Sequence, residues 1–235
     1  MKSLIKIAMV AAVLSVSARQ AHAVSFATLA QTQGSITVGD KKFSKFGAIA
    51  GHDAMPSDIE VVPVGSGTPQ DPWGIIFTGS FSSGAGGTKD YAFEYKVQTI
   101  SGQPLIVGIG QAISFGIIGN GLTVLDESAW SSGFLSGTLV GHSSVGGVGG
   151  NIDPIDPPGE LSQNDILEFD QPRSAAWVVK DLQLHAEGEQ SSVVVSIIQQ
   201  TFPQIPVPDS GTTALLLGVG SIGLGLLRRR WVMAS

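Results

Sequence analysis

Along the middle of this chain, apolar and polar residues alternate in short runs separated by turn residues, the period expected of half-buried β-strands. Ser35 to Val38 reads as a strand entering a Gly39-Asp40 turn, and Ile59 to Val64 as a second whose Pro63 implies an edge or a strand end. Trp73 to Phe81 follows. In Asp90 to Thr99 the alternation places Tyr91, Phe93, Tyr95 and Val97 on one face. Further strands are expected at Pro104 to Phe115, Gly121 to Ser128 and Gly133 to Val140. The glycine-rich Gly141 to Gly150 and the turn-rich 151–159 together read as one long exposed loop. Three last strands are expected at Asp165 to Phe169, Ala175 to His185 and Ser191 to Thr201. The imperfect phase of Trp177 to His185 suggests a bulge. Helix-period patterns are scarce, so the expected fold is all-β, an antiparallel β-sandwich of the jelly-roll-like or Ig-like kind over residues 24–204.

The two ends break this pattern. At the N-terminus, Lys2 and Lys6 precede an apolar run from Ile7 to Val16, and Ala21-His22-Ala23 has the small-x-small form of a signal-peptidase site. The expectation is a cleaved signal peptide over 1–23, because about ten apolar residues are too few for the ~20 that cross a bilayer. At the C-terminus, residues 212–227 form an apolar segment stopped by Arg228, Arg229 and Arg230. At 1.5 Å per residue such a helix spans about 25 Å, slightly short of a ~30 Å hydrocarbon core. The arginines fit the positive-inside rule, with the preceding domain outside. All-round apolarity with five glycines in and before that segment makes a buried core helix of a water-soluble domain a poor alternative.

Between these ends, residues 24–206 hold seven basic and eighteen acidic residues, a net charge of −11. That balance argues against nucleic acid as a partner, since phosphate backbones are met by basic patches. The chain has no cysteine, which excludes disulfides and thiolate-metal chemistry.

Val207-Pro208-Asp209-Ser210-Gly211, followed by the apolar segment and the arginine cluster, resembles the VPDSG-CTERM sorting signal, a variant of the PEP-CTERM signals read by exosortases of polysaccharide-producing bacteria. The resemblance implies recognition of Val207 to Gly211 by a membrane-embedded exosortase, which removes the helix and releases the domain at the cell surface. Trp231 to Ser235 extend beyond the arginines where such signals usually stop. There is also a local physical basis. Pro206 and Pro208 keep the segment extended, while Asp209 and Ser210 can cap the helix that follows. The order of parts in the body, from Ser35 to Ser44 through Tyr91 to Val97 to Ser196 to Phe202, is also similar to that of PEP-CTERM proteins, which implies a sandwich and little about activity.

Candidate chemistry in the body is sparse. His52-Asp53 lies in a glycine-flanked loop, His142-Ser143-Ser144 opens the glycine stretch and His185 ends a strand, but no Gly-x-Ser-x-Gly elbow accompanies them. Asp153 and Asp156, with Asn151 and Glu160, offer oxygen ligands to calcium in a spacing that matches no EF-hand or Gly-Asp repeat and that ordinary turn chemistry also explains. Gly84 to Gly87 and Gly146 to Gly150 lack the Gly-Lys-Ser/Thr ending of a phosphate loop. Trp73 and Trp130, both near turns, are the candidates for stacking on a sugar ring, against the commoner role of core packing.

The expected protein is therefore an exported, non-enzymatic component of the cell surface or extracellular matrix, without cofactor. Its expected partners are the secretion machinery, an exosortase, the membrane before processing, and extracellular polysaccharide. Two alternatives remain: a carbohydrate-binding module using Trp73 or Trp130, and a polysaccharide hydrolase using a carboxylate pair among Glu94, Asp126, Glu127 and Glu168.

Overall fold

The computed structural model describes residues 22–100, 104–149 and 163–205. Its elements run β1 Val24–Ser25, α1 Phe26–Thr32, β2 Ser35–Val38, β3 Lys41–Ala48, β4 Glu60–Val64, β5 Gly74–Gly84, β6 Thr88–Thr99, β7 Leu105–Trp130, β8 Leu139–Gly149, β9 Asn164–Arg173, β10 Ala175–Thr201 and β11 Gln204–Ile205. All of the strand pairings are antiparallel. The all-β, antiparallel expectation therefore holds. The expected signal peptide over 1–23 lies outside the described residues up to residue 21, and the expected sorting segment from Val207 to Arg230 lies wholly outside them. Among the described residues no helix is long and apolar enough to cross a membrane.

Two long strands organise the molecule. β7 and β10 pair along almost their whole lengths, and each runs through two layers, the first and second sheets below, of one continuous eleven-stranded sheet among the described residues. Residues 175–185 of β10 lie between β6 and the second half of β7, and the layer continues to β3 and β2 on one side and β8 on the other. Residues 192–201 lie between β5 and the first half of β7, in a layer that continues to β4 and β1 and, past β7, to β9 and β11. The ribbon bends where its register shifts, between Glu187 and Ser192, beside Gly119 (φ +69°) and Gly188 (φ +92°). The turn is tight: a Cβ on Gly121 would come within 2.5 Å of the Val193 side chain. What the sequence suggested as two strands before Ser128 and two after Ala175 is thus one bent strand in each case.

The sheets close on an aromatic core. Phe93 meets Phe77 at a centroid distance of 4.8 Å, Phe43 meets Phe202 at 5.3 Å and Tyr91 meets Phe81 at 5.5 Å, mostly in tilted or edge-on contacts that suit ring quadrupoles. Phe26 of α1 adds edge contacts to Phe46, Phe77 and Phe93. The helix is only seven residues long and ends at Gln33 in the left-handed conformation. It is held by Phe26 and Leu29, one turn apart and both buried. Tyr91, Phe93, Tyr95 and Val97 all face this core, as their alternation requires.

Three expectations are corrected. Gly133 to Val140 is mostly turn, and β8 begins at Leu139, so the glycine-rich stretch read as a loop is a strand at the sheet edge. Its glycines answer a packing need, because neighbouring side chains lie across its backbone: a Cβ on Gly147 would sit 2.1 Å from the Phe115 ring and one on Gly141 2.2 Å from Leu167. The bulge suggested within Trp177 to His185 is absent, for that register runs unbroken, and the irregularity falls between Val195 and Ile197. The phase looked imperfect because Lys180 occupies a core position. Pro63 lies on β4 beyond the two-residue β1, so its missing N–H faces no ladder partner, as an edge position allows.

Candidate functional site

The outer face of the first sheet carries the candidate site. Because side chains alternate, each charged residue on β7 and β10 is committed to one face. On the inner face Lys180 and Glu127 stand directly opposite one another as a fully buried ion pair. Lys180 also donates to Gln111 Oε1 at 2.7 Å, and Gln111 donates to Ser143 Oγ at 2.7 Å. Burial pulls the Lys180 ammonium down to about 8 and pushes the Glu127 carboxyl up, each partly offset by the other's charge. Tyr95, also fully buried, is raised by burial and by the nearby Glu127 charge, and it donates to Gln200 Oε1 at 2.9 Å.

One residue on in β10 and one residue back in β7, the direction reverses. Asp181 and Asp126 are cross-strand neighbours on the outer face. They line a cleft of about 340 Å³ together with Ile49, His52, Ser128 and His142, with the exposed Leu135 at its rim. Asp90, opposite Gln183 on β6, lies diagonally beside Asp181. Two histidines flank these acids: His52 Nδ1 lies 3.0 Å from Asp90 Oδ2, and His142 Nε2 lies 3.9 Å from Asp126 Oδ1. The Asp181 carboxyl is raised to about 6, first by burial and then by a hydrogen bond and charge contact with Asp90. Asp181 Oδ1 and Asp90 Oδ1 are shielded from solvent and, apart from the contact between the two carboxyls themselves, accept no hydrogen bond from any group among the described residues.

The loop carrying His52 is fixed to the start of β6 by Asp53. That carboxylate accepts from Lys89 Nζ at 2.8 Å and from the Asp90 N–H at 2.9 Å, and the Asp53 N–H donates to the Asp90 carbonyl at 2.7 Å. The hydrogen bond from Lys89 holds the Asp53 carboxyl below its ordinary range. His52 therefore reaches the cleft on an anchored loop.

Beyond this cleft the same face presents aromatics. Trp130 and Trp177 are cross-strand neighbours, both half-buried, and Lys96 Nζ lies 4.6 Å from the Trp177 ring centroid. Trp130 Nε1 donates to Ser128 Oγ at 3.1 Å. Trp73 is placed differently: its half-buried ring packs on the backbones of Gly39 and Gly67, where a Cβ would come within 2.1 and 2.4 Å of ring atoms. Of the proposed hydrolase carboxylates, Glu94 stands cross-strand from Val179 on the cleft's face and Asp126 lies in the cleft. Partial burial raises the Glu94 carboxyl. Glu127 is sealed in the core, and Glu168 is exposed on β9 of the other sheet. The sequence signals missed Asp90, Asp181 and Trp177, because strand register assembles them. His185 pairs with Thr88 at 2.9 Å at the far end of the face. Asn151, Asp153, Asp156 and Glu160, the processing site at Ala21, and Val207 to Gly211 with Arg228 to Arg230 lie outside the described residues; Ala23 lies at the start of them.

Residues 206–231 match the VPDSG-CTERM motif, so the chain carries a PEP-CTERM-like exosortase sorting signal, which supports export and delivery to an exosortase. No curated protein matches the chain. Among solved structures, the fold is similar to TmCBM61 in complex with β-1,4-galactotriose, at 8% identity and a TM-score of 0.30 over 74% of this chain and 93% of that one. It is similar also to the native family 12 xyloglucanase from Bacillus licheniformis, at 11% identity and a TM-score of 0.28 over 72% of this chain and 97% of that one. The same enzyme in complex with ligand gives 9% identity, a TM-score of 0.28 and the same coverages. These likenesses are remote, and the reading of the cleft rests on its own residues.

Proposed function

We propose that this chain is an exported, non-enzymatic protein of the bacterial cell surface or extracellular matrix, sorted and processed by an exosortase through Val207 to Gly211. In this reading the apolar segment 212–227 is a temporary membrane tether, and the β-sandwich is the delivered product. The observation that carries it is the match of residues 206–231 to the VPDSG-CTERM motif. Support for the non-enzymatic part comes from two of the four expected carboxylates, Glu127 being neutralised in the core by Lys180 and Glu168 lying on the opposite layer, which leaves Glu94 and Asp126 on the cleft's face. The outer face of the first sheet, with its cleft and its Trp130–Trp177 pair, is the surface for an extracellular polysaccharide. In a bacterium that carries the exosortase, deleting Val207 to Gly211 should leave the unprocessed chain in the membrane fraction and remove it from the surface. Unchanged surface delivery of the deleted chain would refute the processing claim.

One observation favours a second reading, a secreted polysaccharide hydrolase: Asp181 has a carboxyl raised to about 6 and a second carboxylate, Asp126, directly across the strand pair. Release of reducing ends from an acidic or neutral polysaccharide, abolished by Asp181→Asn, would establish that reading in place of the first.

A further inference from the structure

His52, Asp90 and Asp181 each offer one potential ligand atom, and these atoms all lie within 4.8 Å of one another. Bonds of about 2.0–2.2 Å to nitrogen and oxygen put the ligands of one ion roughly 3–4 Å apart, so a small inward movement of exposed or half-buried side chains closes the set. Three features of the cluster suit an ion. Asp90 Oδ1 and Asp181 Oδ1 are shielded from water and accept no hydrogen bond from any group outside their own pair among the described residues, an arrangement that is costly unless a shared proton or a cation binds them. The nearby lysines are engaged elsewhere: Lys180 with Glu127 on the opposite face, Lys89 with Asp53, and Lys96 over Trp177. Finally, the three bonds made by Asp53 hold the His52 loop in position before any ligand arrives.

We propose that His52, Asp90 and Asp181 bind one divalent transition-metal ion of the zinc or manganese class at the end of the cleft. The imidazole selects against calcium, which takes oxygen ligands, whereas a mixed nitrogen and carboxylate set suits the first-row divalent ions. Three protein ligands leave coordination positions open toward the cleft, where water or a hydroxyl or carboxylate of a ligand can complete the shell. Asp53 is a positioning residue, acting through the loop that carries His52. The site does not depend on the sorting reading and stands or falls separately from it.

The test is calorimetric titration of the EDTA-stripped full chain with zinc chloride, manganese chloride and calcium chloride. The expected result is one zinc ion per chain, bound more tightly than manganese and at least tenfold more tightly than calcium. His52→Ala and Asp181→Asn should each weaken zinc at least tenfold, Asp53→Ala severalfold, and His142→Ala less than twofold. Far-UV circular dichroism and a thermal melt of each variant establish that it is folded. The proposal is overturned if zinc and manganese show no saturable binding, if binding survives in folded His52→Ala and Asp181→Asn, if His142→Ala abolishes it, or if calcium binds as tightly as zinc. An Asp90–Asp181 pair that merely shares a proton gives the first of these results.

Discussion

The two faces of the first sheet treat charge in opposite ways, and adjacent residues make the contrast. Lys180 and Glu127 point inward and neutralise one another, with Gln111 and Ser143 extending the network. Asp181 and Asp126, the next residue in one strand and the preceding one in the other, point outward into a cleft where the acids have two exposed histidines and no free lysine among the described residues. A protein optimised for stability alone would not crowd carboxylates there. The inner pair is part of the fold, whereas the outer cluster gives up some stability and keeps negative charge for something to bind.

The largest effect should come from breaking the inner pair. Glu127→Ala or Lys180→Ala leaves one buried charge unpaired and should cost about 3–5 kcal/mol in urea unfolding. The double replacement Glu127→Leu with Lys180→Met should recover most of that loss, because a well-packed apolar pair replaces a desolvated ionic one. Failure of the double variant to recover would make the pair more than a local structural device. Next comes the packing behind the cleft's edge strand. Gly147→Ala drives a methyl against the Phe115 ring and should cost about 1–3 kcal/mol by overpacking, which a loop at this position would not show.

On the outer face the sign should reverse. Asp181 is raised in the folded state, so the stability it lends is complete below the unfolded carboxylate range and is lost as the pH rises through about 6. Asp181→Asn should therefore be stabilising at pH 7.5 by about 1 kcal/mol, after allowing for solvent screening, and should flatten the fall in stability between about pH 4 and 6. A loss of stability in metal-free Asp181→Asn would contradict the contrast. The smallest effect belongs to Lys96→Met, where loss of the cation–π contact with Trp177 at nearly constant volume should cost about 0.5–1 kcal/mol. Zinc binding should be unaltered by it, which separates the aromatic row from the ion site.

Alternation made much of this fold legible in advance. Tyr91, Phe93, Tyr95 and Val97 face the core as their spacing demands. The C-terminal signal was legible as well, because a pentapeptide, an apolar run and an arginine cluster are local in sequence. What was hidden depends on long-range packing. β8 looked like a loop because glycine usually marks one, yet here glycine clears space for Phe115 and Leu167. Glu127 stood among the candidate hydrolase carboxylates and its burial with Lys180 was not foreseen, since only a partner in register makes a buried charge tolerable. Helix α1 is held by Phe26 and Leu29 against a core made by distant strands. The cleft was half visible. His52-Asp53 stood out, but Asp90 and Asp181 join it only through the pairing of β6 with β10.

The central claim, that opposite faces of one strand pair hold charge for opposite purposes, is tested most directly by thermal unfolding of metal-free wild type, Glu127→Gln and Asp181→Asn side by side at pH 7.5. The predicted result is a melting temperature several degrees lower for Glu127→Gln and a few degrees higher for Asp181→Asn, with added zinc raising that of the wild type but not that of Asp181→Asn. Shifts of the same sign in both variants, together with a zinc response that survives Asp181→Asn, would contradict it.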